Sequence, residues 1–362
     1  MTRIDECFAA DYADARRRFL ERAASAGFEL QAHTHPSQRG PAGETLATDV
    51  ARRGPRDARF TLLVSSGTHG VEGFCGSGCQ NAFLESDLLQ SLPADIAVVL
   101  VHAINPHGFA HLRRVNEDNV DCNRNFVRHG SRPFNKAYDE VHPLLVPADW
   151  DGPAKRAADE AIYRYIGERG QWAFQAAVSG GQYDHADGLF YGGRAPVWSN
   201  DTWRRIVRGQ AGASGDVIAI DLHTGLGPSG VGEAIFSGPE ADHQRTRALF
   251  GDDVTSPESG TSTSAQVSGT TVDGARGELG STRLTMITLE YGTRPVPVVL
   301  EALRADNWLH ARGQVDSPLG HRIKGAIRAA FYVDESAWKA AVAARFLSLI
   351  ERAGDSARRV LG

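Results

Sequence analysis

Four short clusters hold side chains whose types and spacing suit chemistry. The first, residues 65–73 (S-S-G-T-H-G-V-E-G), follows an apolar run and sets His69 and Glu72 three apart, able to face the same way from one turn. An imidazole and a carboxylate so placed suit zinc, which takes nitrogen and oxygen ligands. The second, residues 217–225 (V-I-A-I-D-L-H-T-G), ends an apolar run on His223, placed to add a third ligand from a neighbouring strand; Asp221 reads as structural. The third runs from Asn105-Pro106-His107-Gly108 through Arg113, Arg114 and Asn116 to Asp121-Cys122-Asn123-Arg124-Asn125-Phe126. Guanidinium forks match carboxylates, and beside a metal they also hold a developing oxyanion. Arg113 and Arg128 read as surface ion pairs, whereas Arg124 is embedded among amides and an aromatic. The fourth, residues 284–293 (L-T-M-I-T-L-E-Y-G-T), ends a strand on Glu290. A carboxylate there is costly unless it is paired or working, and next to zinc it would serve as general base for a water.

Such residues need rigid elements to hold them. Apolar runs at 60–64, 96–101, 217–222 and 284–289 predict buried strands. Helical periodicity lies near 78–88, 159–166, 296–309 and 337–350, and Phe8, Tyr12, Phe19 and Ala23 predict an amphipathic helix at the N-terminus. Strands alternating with helices predict an α/β fold, a mixed, mostly parallel twisted sheet flanked by helices. All four clusters then fall at carboxyl ends of strands, where ligand sites of open α/β sheets lie. The expected organisation is one catalytic domain over 1–362, with an inserted loop or helical excursion at about 127–200.

Composition narrows the classes. The 362 residues include 44 acidic and 39 basic side chains, a net charge of −5, and 41% hydrophobic residues. That is ordinary for a globular chain and unsuited to nucleic acid, which needs a basic face. Only Lys136, Lys155, Lys324 and Lys339 are lysines. No run is long and apolar enough to span a bilayer, and the N-terminus lacks the pattern of a secretory signal. Cys7, Cys75, Cys79 and Cys122 are too few for a disulfide scaffold, so reduced thiols and a cytoplasmic location are expected. Residues 225–230 spell G-x-G-x-x-G, yet the following residues read as a short strand and not the helix a dinucleotide needs, which leaves nicotinamide chemistry a remote alternative.

In this order the clusters resemble the zinc carboxypeptidase (carboxypeptidase A-like) superfamily, whose pattern is H-x-x-E, N-P-x-G, R-x-N, D-x-N-R-N-[FW], a strand-end histidine and a strand-end glutamate. Each piece alone is common, but the ordered set is specific, and it spans about two thirds of the chain. The wording T-H-G-V-E-G-F and D-L-H-T-G is most similar to an uncharacterised bacterial branch. The aspartoacylase and succinylglutamate desuccinylase deacylases share much of the frame. The resemblance implies one zinc ion held by His69, Glu72 and His223. It implies Glu290 as general base, Arg114 as oxyanion stabiliser, and Asn123 with Arg124 as binders of a substrate carboxylate. The expected activity is hydrolysis of a small peptide or an N-acyl amino acid; a metal- or carboxylate-binding module without catalysis is the other class. Carboxypeptidases present a tyrosine from the segment before the catalytic glutamate, and none lies between His223 and Glu290. Tyr183, Tyr191 and Tyr291 are the candidate replacements, with Tyr183 in a glycine-rich loop that suits a pocket. Arg276 and Arg283 lie where a deacylase would place a second carboxylate clamp.

Overall fold

The computed structural model describes residues 4–361. Seven strands form one sheet: β1 (Glu29–Arg39), β2 (Thr45–Arg53), β3 (Phe60–Ser66), β4 (Ala97–His102), β5 (Asp216–Ser229), β6 (Gly232–Ile235) and β7 (Arg283–Gly292), in the order β1-β2-β4-β3-β5-β7-β6. The inner four, β4, β3, β5 and β7, are parallel; β1, β2 and β6 join antiparallel at the two edges. The sheet is therefore mixed and flanked by helices, the α/β class expected. Every residue of β3 and β4 is buried, which is why these strands read as unbroken apolar runs. The hairpin β1–β2 was not anticipated. Strand β1, E-L-Q-A-H-T-H-P-S-Q-R, is mostly exposed and has no apolar face to betray it.

Helices cover both faces. On one side Tyr12–Ser25, Gly73–Leu84 and Ser336–Leu361 enclose a core containing Phe19, Phe83, Phe346 and Ile350. The N-terminal helix starts at Tyr12 under an Asp11 cap, so Phe8 precedes it, although its side chain is still buried. The second helix runs from Gly73 to Leu84, earlier than the 78–88 expected, and begins directly at the first cluster. On the other side Trp198–Ala211 and Thr271–Leu279 pack Trp203, Ile206 and Val272 against Leu63, Val99 and Met286. A further core is built by Lys136–Leu145, Pro153–Arg169 and Gln171–Ser179 from the 127–200 stretch, together with Val296–Arg312 and Pro318–Phe331. Among the described residues no helix is long and apolar enough to cross a membrane. The four cysteines are free and buried.

Strand register decides where chemistry is placed. The chain leaves β3 towards β4 on one side and β5 on the other, so β3 is the switch point at which an open sheet forms its crevice. Ser66, the last residue of β3, pairs with Leu222; β5 and β7 continue beyond it and set His223 beside Glu290. Gly67, at φ +63°, turns the chain over that edge, a conformation that costs other residues about 1 kcal/mol or more.

Candidate metal centre and cleft

His69 and Glu72 flank the single turn Gly70–Glu72 that follows β3, and His223 reaches them from β5. His69 Nδ1 lies 3.0 Å from Glu72 Oε1, His223 Nδ1 lies 3.2 Å from His69 Nδ1, and His223 Nδ1 lies 3.3 Å from Glu72 Oε2. All three residues are buried. On its far side each imidazole meets a carboxylate: His69 Nε2 is 3.1 Å from Asp121 Oδ1, and His223 Nε2 is 2.8 Å from Asp221 Oδ2. With a metal ion bound, an imidazole whose Nε2 faces a carboxylate would keep its proton there and turn the Nδ1 lone pair to the ion. Two imidazole nitrogens and a carboxylate thus converge on one point, the arrangement of a metal-ligand set. Their separations match the roughly 3.3 Å edge of a tetrahedron of ligands at about 2.0–2.1 Å. The donor set therefore fits zinc.

The surroundings hold those lone pairs in place. Asp221 also accepts from the hydroxyls of Ser65, Thr68 and Thr271, and Asp121 from the Asn123 N–H and from Arg114 Nε. Glu72 Oε2 accepts the Thr224 N–H, 2.9 Å away. Burial opposes charge on Glu72, but His69 and His223 outweigh it and hold the carboxylate ionised. Burial likewise disfavours a charge on His223, yet Asp221 and Glu72 prevail and raise its pKa well above the ordinary value.

Glu290 stands on β7 directly across from His223, with Oε1 accepting the Leu226 N–H at 3.0 Å. Burial, then the nearby Glu72 charge, push its pKa up to about 8. A cation on the three donors would pull it back down and ionise it. Arg114 donates Nε to Asp121 and Nη1 to Glu72, with Nη2 only 2.8 Å from His69 Nε2. Once His69 carries its proton on Nε2, that Nη2 N–H is free for another acceptor. Residues 8–345 match the family described as "Protein of unknown function (DUF2817)". The chain belongs to that family.

No curated protein matches this DUF2817 chain. Solved structures similar to it include carboxypeptidase A from Helicoverpa armigera, 13% identical, covering 88% of this chain and 73% of that one, TM-score 0.44. Others are a metallo-carboxypeptidase from Burkholderia cenocepacia (11% identical, 94% and 68% covered, TM-score 0.37) and a succinylglutamate desuccinylase from Chromobacterium violaceum (19%, 86% and 72%, TM-score 0.33). These likenesses are distant.

In this DUF2817 chain the metal centre opens into a cleft lined by His69, His223, Glu290, Arg114, Asn123 and Arg124 among others. Asn123 spends its Oδ1 on the Thr271 N–H, which leaves the amide nitrogen for a ligand. Arg124 is 5% exposed and donates only to the carbonyls of Asn123 and Ser179. Its Nε is buried without a partner, and among the described residues no carboxylate lies within 4.0 Å of it. Gly181, at φ +88°, passes so close that a Cβ would lie 2.9 Å from Arg124 Cδ.

Tyr183 is a correction. It does not line the cleft; its hydroxyl donates to the Arg124 carbonyl at 2.7 Å, so it supports the arginine's backbone and offers a substrate nothing. Tyr291 likewise gives its hydroxyl to Val342 O, and no tyrosine of the described chain lines the cleft. Phe190 does line the cleft, and its ring has Arg114 Cζ at 5.1 Å and Arg124 Cζ at 5.7 Å from its centroid. Its backbone is left-handed at φ +52°, an outlier for a bulky residue. Arg276 is not itself in the lining but donates to the carbonyl of Ser237, which is, and Arg283 pairs with Asp216 at the start of β7 and forms no second clamp. Residues 225–230 lie in β5 and its turn into β6, with no helix to hold a pyrophosphate. Asp221 was read as structural, but residues two apart on a continuous strand share a face, and β5 runs on to Ser229. That alternation was the available signal. Phe190 had none.

Proposed function

We propose that this chain is a zinc-dependent amide hydrolase acting on a small peptide or an N-acyl amino acid with a free carboxylate. One observation carries the reading: the buried convergence of His69 Nδ1, His223 Nδ1 and the Glu72 carboxylate, with Glu290 beside it on the next strand. Bound by these three, zinc supplies Lewis acidity, polarising a carbonyl and lowering the pKa of a water to about 7. Glu290 would take a proton from the water that attacks the amide carbonyl and return it to the departing amine. Arg114 offers its freed Nη2 N–H to the carbonyl oxygen as charge builds there. Arg124 and the Asn123 amide receive the substrate carboxylate, which answers the buried guanidinium's lack of an anion.

Metal content and a chelator titration test this. The purified chain should hold one zinc, and His69→Ala or His223→Ala should lose it along with hydrolysis of dipeptides and N-acyl amino acids. A chain without zinc, or one whose zinc survives both substitutions, would sink the reading.

A further inference from the structure

We infer that the substrate carries a single carboxylate, with large apolar groups on both sides of the amide, and that amides bearing a second carboxylate are rejected. The inference deepens the function proposed above and rests on it. Among the described residues, the charged or titratable side chains lining the cleft are His69, His223, Arg114, Arg124 and Glu290. Two of these are guanidiniums. Arg114 already answers Glu72 and Asp121, so Arg124 alone is uncommitted, and one uncommitted cation matches one carboxylate.

Away from the metal the walls change character. One wall is the surface of the helical core, with Phe174, Val178, Val299 and Leu300. Facing residues include Ile235, Val267 and Val272, with only Ser, Thr and Gln as polar neighbours. Among the described residues no lysine or further arginine lines that space, and Arg283 is paired with Asp216. A second carboxylate would enter that space stripped of water and unpaired, which is expensive. An alkyl or aryl group would instead exchange water for apolar contact. This selects against acyl groups such as succinyl and against amino acids such as aspartate.

The test uses three intact amides on the zinc-loaded full chain: N-octanoyl-phenylalanine, N-succinyl-phenylalanine and N-octanoyl-aspartate. Calorimetric binding is measured on Glu290→Gln, and kcat/KM on the unaltered chain. The apolar amide should bind at least about tenfold tighter than either diacid, the scale at which a small group change in an apolar pocket is felt. Leu300→Arg and Gln175→Arg each place a cation at a partly exposed point of the lining and should raise diacid affinity about tenfold. A diacid that binds as tightly as the apolar amide overturns the inference, as does failure of all three to bind, or unchanged diacid affinity in both variants. Reversed binding order with hydrolysis intact defeats this inference alone; the expected order with no hydrolysis of any amide defeats the enzymatic reading.

Discussion

The two ends of the cleft are built on opposite principles. At the metal end, side chains from β5, β7 and the turn after β3 are fixed by carboxylates, hydroxyls and backbone N–H groups, so each donor atom has a set position. At the far end the lining is the outer surface of a packed core, where the side chains of Phe174, Val178 and Val299 fill space and direct no hydrogen bond. The first end needs angular accuracy and draws it from strand termini held in a ladder. The second needs only shape and dryness, which helices supply without any signature residue. Breaking the first should therefore abolish chemistry, whereas breaking the second should shift preference.

Glu290→Gln is the sharpest test of that division. The amide keeps the shape and the acceptor for the Leu226 N–H but cannot take a proton. Zinc content should be unchanged, while kcat falls by about 10²–10⁴-fold, the usual contribution of a positioned base. An unaltered rate would remove Glu290 from the chemistry. Next comes Arg124→Ala, at the boundary between the ends. Substrates with a free carboxylate should lose on the order of 10²-fold in kcat/KM, the cost of removing one partner of a buried charge pair. Their amidated counterparts should lose far less, and equal losses would show that no carboxylate docks there.

Asp221→Asn probes how the metal end gets its accuracy. Asp221 fixes the His223 Nε2 proton while itself held by three hydroxyls. An amide in its place can present N–H to Nε2 and turn the ring to the wrong tautomer. Zinc affinity should drop about 10–100-fold, with folding retained. A competitive chelator titration reads this directly, and undiminished affinity would mean that His223 is oriented by Glu72 alone.

The same division explains what could be read before the structure. The four parallel strands were legible because burial on both faces leaves unbroken apolar runs. His69, Glu72, His223 and Glu290 were legible because strand-end placement and order are written in the chain, and the fold does bring all four together. Strand β1 was not, since an exposed edge needs no apolar pattern. Tyr183 misled for a physical reason: a tyrosine in a glycine-rich loop looks like a pocket residue until its hydroxyl is found on a backbone carbonyl. The apolar wall was invisible because Val299 and Leu303 would be core residues with or without a cleft beside them.

Phe190 joins the two ends, and its variants should have the smallest effects. Its ring lies against both Arg114 and Arg124, keeping the guanidinium near the metal apart from the one that awaits a carboxylate. Burial, and after it the Arg114 charge, disfavour the charged form of Arg124. Without the ring, Arg124 can swing, so KM for free-carboxylate substrates should rise about tenfold with kcat little changed. The backbone at φ +52° supplies a second, independent readout. In most settings alanine is the more stabilising replacement and glycine the less, because glycine gains more freedom on unfolding. At a left-handed position the order inverts: Phe190→Gly should be more stable than Phe190→Ala by about 1 kcal/mol in urea unfolding, while both show the same rise in KM. The conventional order, with alanine ahead, would mean the ring and not the backbone sets this loop. A rise in KM confined to one variant would mean that the loop, and not the ring, positions Arg124.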